Sequence, residues 1–299
     1  IPSISDSDAN RAWTLAIIDT VDRSAEEVNG ALMRLEETNV TESGQERRRV
    51  LVTGAGLGIG QGIAIELARA GYDVAIHYAS SRSGAATTVA ECEKLGARAI
   101  AIGGNLRDVE TCFRVVEEAH DFLGGLDALV NNSGVTRAVD FFDTDQALFD
   151  EQFEINIRSY FFCAQRAARY MLAQGGGAIL NISSVHGGGG APNHVAYAGT
   201  KGAIVAFTRT LAIELAEKHI RVNCIAPGLI EVPRYFDMPG YTRESSAGMV
   251  PWGRVGLPDD IGKPVVFFLS SDADFITGQT LYVDGGTNAR MGITWRQDD

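Results

Sequence analysis

Tyr197 and Lys201 stand four residues apart at the start of a stretch that reads as a helix, so the phenol and the ammonium share one face. A phenol titrates near 10 and a proton donor works best near the operating pH, which asks for a shift of about three units, roughly 4 kcal/mol. A fixed positive charge about 5 Å away, at an effective dielectric near 20, supplies roughly 3 kcal/mol, so Lys201 nearly suffices. Ser184 lies thirteen residues before Tyr197. An apolar strand delivers it, and the run Gly187 to Gly190 can fold its hydroxyl back over the helix to hold a carbonyl oxygen. That set of groups transfers a proton to or from a substrate oxygen. Taken alone, a Tyr and a Lys one helical turn apart also fit an ordinary surface pair.

The elements that must position these groups begin at Val50, where strands and helices start to alternate. Val50 to Val52 is a buried strand, and Thr53, Gly54, Gly56, Leu57, Gly58, Ile59 and Gly60 turn from it into a helix. Glycines there allow a tight turn and close approach of a pyrophosphate to the helix amino terminus. The next strand, Asp73 to Tyr78, lacks the acidic residue that would bind a free ribose 2′-hydroxyl. It is followed by Ser80, Ser81 and Arg82, two hydroxyls and a guanidinium suited to a 2′-phosphate. NADP is therefore expected over NAD, with Tyr78 beside it; Arg82 as a solvated helix opener is the plain alternative. A third strand, Arg98 to Ile102, leads to Asn105, which could accept from an adenine amino group, and to Leu106, whose amide could donate to the ring. A fourth, Ala128 to Val130, ends in Asn131, Asn132, Ser133 and Gly134. Both exits also suit plain Asn/Gly turns.

A chain of 299 residues with 45% hydrophobic content holds an ample core, and no apolar run reaches a membrane span. The formal charge of −12 argues against general nucleic-acid or anionic-membrane binding. Cys92, Cys112, Cys163 and Cys224 are scattered, without metal-ligand spacing, and read as reduced thiols in a cytoplasmic protein; no metal site is expected. No basic region followed by an apolar stretch opens the sequence. Before residue 48, two apolar stripes at helical spacing (Trp13, Ile17, Val21; Val28, Leu32, Leu35) predict a helical extension and a polar linker, for packing or assembly. The helical stretch Gln146 to Leu172 carries Asn156 on an otherwise apolar face.

In order and spacing, Thr53-Gly54 with Gly58 and Gly60, the Asn131 to Gly134 turn, Asn156, Ser184, Tyr197 with Lys201, and Pro227-Gly228 resemble the short-chain dehydrogenase/reductases, from about Arg49 to Thr287. The resemblance implies a Rossmann-type α/β catalytic domain over residues 49–287, a doubly wound parallel sheet ordered 3-2-1-4-5-6-7 in a three-layer sandwich, with residues 1–48 as a helical extension and 288–299 as a tail. It implies Tyr197 as acid/base, Ser184 as holder of the substrate oxygen, and Lys201 as the group that acidifies the phenol and binds the nicotinamide ribose. Asn156 is implied as the water-holding residue of a proton relay. Pro227, Gly228 and Ile230 would border the nicotinamide. Val232 stands where a threonine often bonds the carboxamide, which leaves the backbone of Ile230 or Val232 to serve. The implied reaction is hydride transfer between nicotinamide and a carbonyl or secondary alcohol, most similar to 3-oxoacyl-[acyl-carrier-protein] reduction.

A sugar or polyol dehydrogenase is the alternative within that class, and a catalytically silent nucleotide sensor the alternative outside it. Pro233 to Pro251 corresponds to a substrate lid and gathers Tyr235 with other aromatics and methionines, a composition that also suits packing between subunits. His186 and His194 flank the active loop and could touch a substrate; a loop histidine is otherwise simply exposed. A homotetramer is implied by resemblance alone, with a dimer as second choice.

Overall fold

The strands are short apolar runs with little polar alternation, the pattern of a sheet covered on both faces. They are β1 (Arg48–Val52), β2 (Tyr72–Tyr78), β3 (Ala99–Gly103), β4 (Ala128–Asn131), β5 (Gly177–Ile182), β6 (Ile220–Pro227) and β7 (Thr280–Val283). All pair in parallel in the order β3-β2-β1-β4-β5-β6-β7, which is the order expected. The computed structural model describes residues 47–290, so the expected N-terminal helices and the end of the tail lie outside the described residues.

The helices are α1 (Gly58–Arg69), α2 (Arg82–Lys94), α3 (Val109–Leu123), α4 (Gln146–Phe153), α5 (Ser159–Ala173), α6 (Val195–Ala216), α7 (Arg243–Ala247) and α8 (Pro258–Leu269). Successive strand residues point to opposite faces. Val50, Val52, Val74, Ile76, Val130 and Leu180 therefore share a core with Ile63 and Leu67 of α1, Cys92 of α2, and Val265 and Phe268 of α8. Leu51, Ala75, Leu129 and Ile179 face the other way, onto Val115 of α3, Cys163 and Met171 of α5, and Ala212 of α6. Burying one such aliphatic side chain contributes roughly 2 kcal/mol, and both layers depend on the strand alternation being kept in register. The chain changes sides between β3 and β4, so β1 and β4 become neighbours and a crevice opens at their carboxyl ends.

One expectation is corrected. The helix read as continuous from Gln146 to Leu172 is interrupted by a wide π-type turn at Glu154–Arg158. It coincides with Asn156, whose buried amide is bound on both sides to Val135, so the ladder is stretched to keep that anchorage. All four cysteines are free and buried. Among the described residues, no helix is long and apolar enough to cross a membrane.

Candidate active site

The turn after β1 is held by three side chains that each bond main-chain groups. Thr53 Oγ1 accepts from the backbone N–H of Asn132 (2.9 Å) and of Ser133 (3.1 Å). Asn132 Nδ2 donates to the carbonyls of Thr53 (2.9 Å) and Gly54 (3.1 Å). Gly54 adopts φ +65°, and a Cβ there would lie 2.9 Å from Ser133 Cα, so only glycine fits. Its N–H donates to Nδ1 of buried His77 (3.1 Å), and His77 Nε2 donates to the Gly104 carbonyl (3.0 Å). That pair of bonds fixes the ring tautomer with its proton on Nε2. Burial drives the His77 pKa down to about 4, so the ring is neutral. Leu57, at the cap of α1, offers no side-chain bond to the first turn, which leaves the helix amino terminus open toward the crevice.

At the end of β2, where the adenosine is expected, Ser81 packs on Gly56, while Ser80 and Arg82 are exposed where α2 begins. Tyr78 lies over Gly103. Asn105 Oδ1 accepts from the Arg107 N–H (3.2 Å) and keeps a second acceptor site, and Leu106 is buried beneath it. Asn132 and His77 work differently from a contact residue: both tie the turns that line the crevice.

At the ends of β4 and β5 the catalytic candidates come together. Lys201 is buried in α6, and its Nζ donates to the Ile182 carbonyl (2.9 Å), which also accepts from Tyr160 Oη (3.2 Å). The ammonium stands 5.7 Å from the centroid of the Tyr197 ring. Burial lowers the Lys201 pKa, and Tyr197 beside it pulls the other way. A Cβ on Gly134 would lie 3.4 Å from Asn156 Oδ1 and 3.6 Å from Lys201 Nζ, so the missing side chain leaves room over both. Asn156 Oδ1 accepts from Val135 N–H (2.8 Å), and Nδ2 donates to the Val135 carbonyl (2.9 Å) and Thr200 Oγ1 (3.1 Å). Thr200 Oγ1 in turn donates to the Tyr197 carbonyl (2.7 Å). Asn156 thus clamps the first turn of α6 to the loop after β4.

Ser184 caps the turn Val185–Gly187, accepting from His186 N–H at 3.2 Å. The His186 ring lies edge-on to Tyr197, with centroids 5.4 Å apart, and His194 stands 6.1 Å from Tyr197. Both histidines therefore border the phenol. Tyr235 lies in the segment after β6, where it packs on Tyr241 with ring centroids 5.4 Å apart.

Pro227 ends β6, Gly228 N–H donates to Val283 (3.0 Å), and Ile230 forms a bridge with Gly256. Val232 packs on Gly58, which brings the segment after β6 against the glycine turn. Glu231, buried between Ile230 and Val232, accepts from Tyr241 Oη (2.8 Å) and from Arg243 Nε (2.8 Å) and Nη2 (2.6 Å). The Arg243 guanidinium, with burial opposing it and Tyr241 helping, holds the Glu231 carboxyl below its usual range. Burial and the Glu231 carboxylate push Tyr241 up to about 12. Thr200, His77 and Glu231 escaped the sequence reading. Thr200 alone had a signal, its place three residues after Tyr197 on the same helical face.

The open helix terminus, the glycine-lined turn and the space over Gly134 fit a dinucleotide laid across the carboxyl ends of β1 and β4. The sequence profile described as Enoyl-(Acyl carrier protein) reductase matches residues 54–288. The 3-oxoacyl-[acyl-carrier-protein] reductase FabG of Staphylococcus aureus is 38% identical over 239 residues, spanning 80% of this chain and 97% of its own. The hydroxynaphthalene reductase-like protein Arp2 of Metarhizium guizhouense is 38% identical over 251 residues, 79% of this chain and 93% of its own. The crystal structure of acetoin dehydrogenase YohF from Salmonella typhimurium superposes with a TM-score of 0.77 at 35% identity, covering 82% of this chain and 98% of that one. Sequence likeness over this span and the shared sheet order make the chain a member of the short-chain dehydrogenase/reductase family, the nicotinamide-dependent oxidoreductases.

Proposed function

We propose that the protein is an NADP(H)-dependent carbonyl reductase of 3-oxoacyl type, with Tyr197 as proton donor, Ser184 as holder of the substrate oxygen, and Lys201 and Asn156 as their support. The observation that carries this reading is the buried Lys201 ammonium, anchored on the Ile182 carbonyl and set against the Tyr197 ring. Its charge favours the negative charge that gathers on the phenol oxygen as the proton leaves. Ser184 donates to the oxygen that Tyr197 protonates, which keeps the accumulating charge between two donors. When bound, the reduced nicotinamide supplies the hydride to the carbonyl carbon. Hydride and proton together convert C=O to CH–OH. Asn156 keeps Val135, Thr200 and hence the Tyr197 turn in place.

Gly54, Gly56, Leu57, Gly58, Ile59 and Gly60 would cradle the pyrophosphate. Ser133, Gly134, Lys201 and the Ile230 backbone would border the nicotinamide half. Preference for NADP rests on the absence of an acid at the end of β2 and on exposed Ser80 and Arg82 at the start of α2. Arg82→Ala should raise the KM for NADPH about tenfold, as expected for one charge-assisted contact, and leave that for NADH alone; equal effects on both would assign Arg82 to neither. The exposed Phe161, Phe267, Phe275 and Leu281 support assembly as a homotetramer or dimer, to be read by light scattering. Free buried thiols suit a cytoplasmic location.

The test of the function is Tyr197→Phe assayed with acetoacetyl thioester, diacetyl and an aldose. Turnover should fall by about 10³-fold while NADPH binding persists; retained turnover would remove Tyr197 from the mechanism. Reduction of a crotonyl thioester in place of the ketones would favour C=C chemistry.

A further inference from the structure

Ser184 meets a second group that bears on its chemistry. Its Oγ, besides accepting from the His186 N–H, lies 3.2 Å from Nδ1 of the same residue's imidazole. The ring is wedged among aromatic neighbours, edge-on to Tyr197 at 5.4 Å and tilted against His194 at 4.9 Å. His194 Nδ1 faces the Pro192 carbonyl at 2.7 Å, so it carries a proton and donates there. The groups that face His186 are therefore His194 and Tyr197 from the start of α6. Lys201 is drawn away to Ile182, and Tyr282 of β7 approaches the adjoining Gly188.

A serine hydroxyl has one proton. If Nδ1 is bare, that proton is drawn to it and is lost to a substrate oxygen. If Nδ1 carries hydrogen, it donates to Oγ, and the serine proton points elsewhere. We infer that His186 is a positioning residue that acts through Ser184: with hydrogen on Nδ1 it turns the hydroxyl toward the substrate carbonyl, and with Nδ1 bare it withdraws it. The inference rests on Ser184 holding the substrate oxygen, and it assigns His186 a task on the serine instead of a contact with the substrate. Burial, and after it His194, lowers the His186 pKa. The neutral ring therefore divides between two tautomers at neutral pH, and protonation commits all of it to the Nδ1–H form.

The sign follows. In the reductive direction kcat/KM rises as pH falls through the His186 ionisation, by about threefold to tenfold, the size of a competent-fraction effect. The assay is reduction of the N-acetylcysteamine thioester of acetoacetate by NADPH over roughly pH 5–8, in wild type, His186→Val and His186→Asn. Both variants should lose the part of the acid-side rise that His186 adds and keep only what Tyr197 protonation gives. His186→Val does so because nothing competes for the serine proton, and His186→Asn because an amide does not titrate. A rise of wild-type size in His186→Val, or a uniform loss of rate with the rise intact, overturns the inference, as does a wild type without one. NADPH fluorescence checks that the variants fold. If the thioester is not reduced at all, the substrate reading fails, and ring ¹⁵N shifts of His186 still decide the matter. They should change in Ser184→Ala through loss of the Nδ1 partner, and identical titrations in the two proteins overturn the inference.

Discussion

The turn after β1 and the segment after β6, the expected substrate lid, both border the crevice, yet they are held by different means. The turn is fixed by Thr53, Asn132 and His77, each bonded to backbone groups from other strands. The lid is fastened through side chains that converge on one carboxylate, Glu231. Backbone partners do not change with sequence, so the turn suits a ligand that is the same across many enzymes. Side-chain partners can be exchanged one at a time, so the lid suits one that differs. On the proposed function, the cofactor side resists substitution and the substrate side absorbs it.

Acid gives the sharpest test of that contrast. His77 has its folded pKa depressed from 6.5 to about 4, so the unfolded chain binds the extra proton in between. The stabilisation is full above pH 6.5 and is lost as pH falls toward 4, by about 3 kcal/mol in all. Urea midpoints measured over that window should fall in wild type and stay level in His77→Asn, apart from slopes common to both. Next in size, His77→Leu strands a half-buried donor at Gly54 and a half-buried acceptor at Gly104. It should weaken NADPH binding about tenfold or more with kcat at saturating cofactor nearly kept, measured by fluorescence titration. A fall in kcat with unaltered binding would move His77 out of the cradle.

On the other side, Glu231→Gln keeps the shape and weakens the charge-assisted bonds to Arg243 and Tyr241. The KM for the ketone should rise about fivefold, roughly 1 kcal/mol, and the Kd for NADPH should hold. Because its folded pKa is depressed, the fastening persists at neutral pH and fails only as pH drops below the ordinary carboxylate range. The smallest expected effect is the coupling itself. In the double variant His77→Leu with Glu231→Gln, the two changes should add within about 0.5 kcal/mol. A larger coupling would mean that turn and lid move as one, and the contrast would fail.

The existence of the strands and the pairing of Tyr197 with Lys201 could be read in advance because each depends on local periodicity, while the strand order came from the resemblance of the motifs to a known family. Apolar runs mark strands that are covered twice, and a spacing of four sets a phenol and an ammonium on one helical face. The tie made by His77 could not. In the sequence it is one more residue in a buried strand, and its two partners are backbone atoms of Gly54 and Gly104, which have no side chain to signal pairing. Glu231 was hidden for a different reason, since Tyr241 and Arg243 lie in a stretch without periodicity. Asn156 was noticed as an odd amide on an apolar face, but nothing in residue types announces a stretched helical ladder.

That stretched ladder at Glu154–Arg158 bears on how this chain can be shortened. Deleting a single residue there would restore a regular helix and improve its internal bonding. Because the wide turn absorbs that one residue locally, the helix beyond would keep nearly the same rotation. The register that sets the Asn156 amide against Val135 and Thr200 would be lost. The chain would gain a better helix and lose the clamp between the loop after β4 and α6, so indels should be tolerated in the surface connections long before this point accepts one.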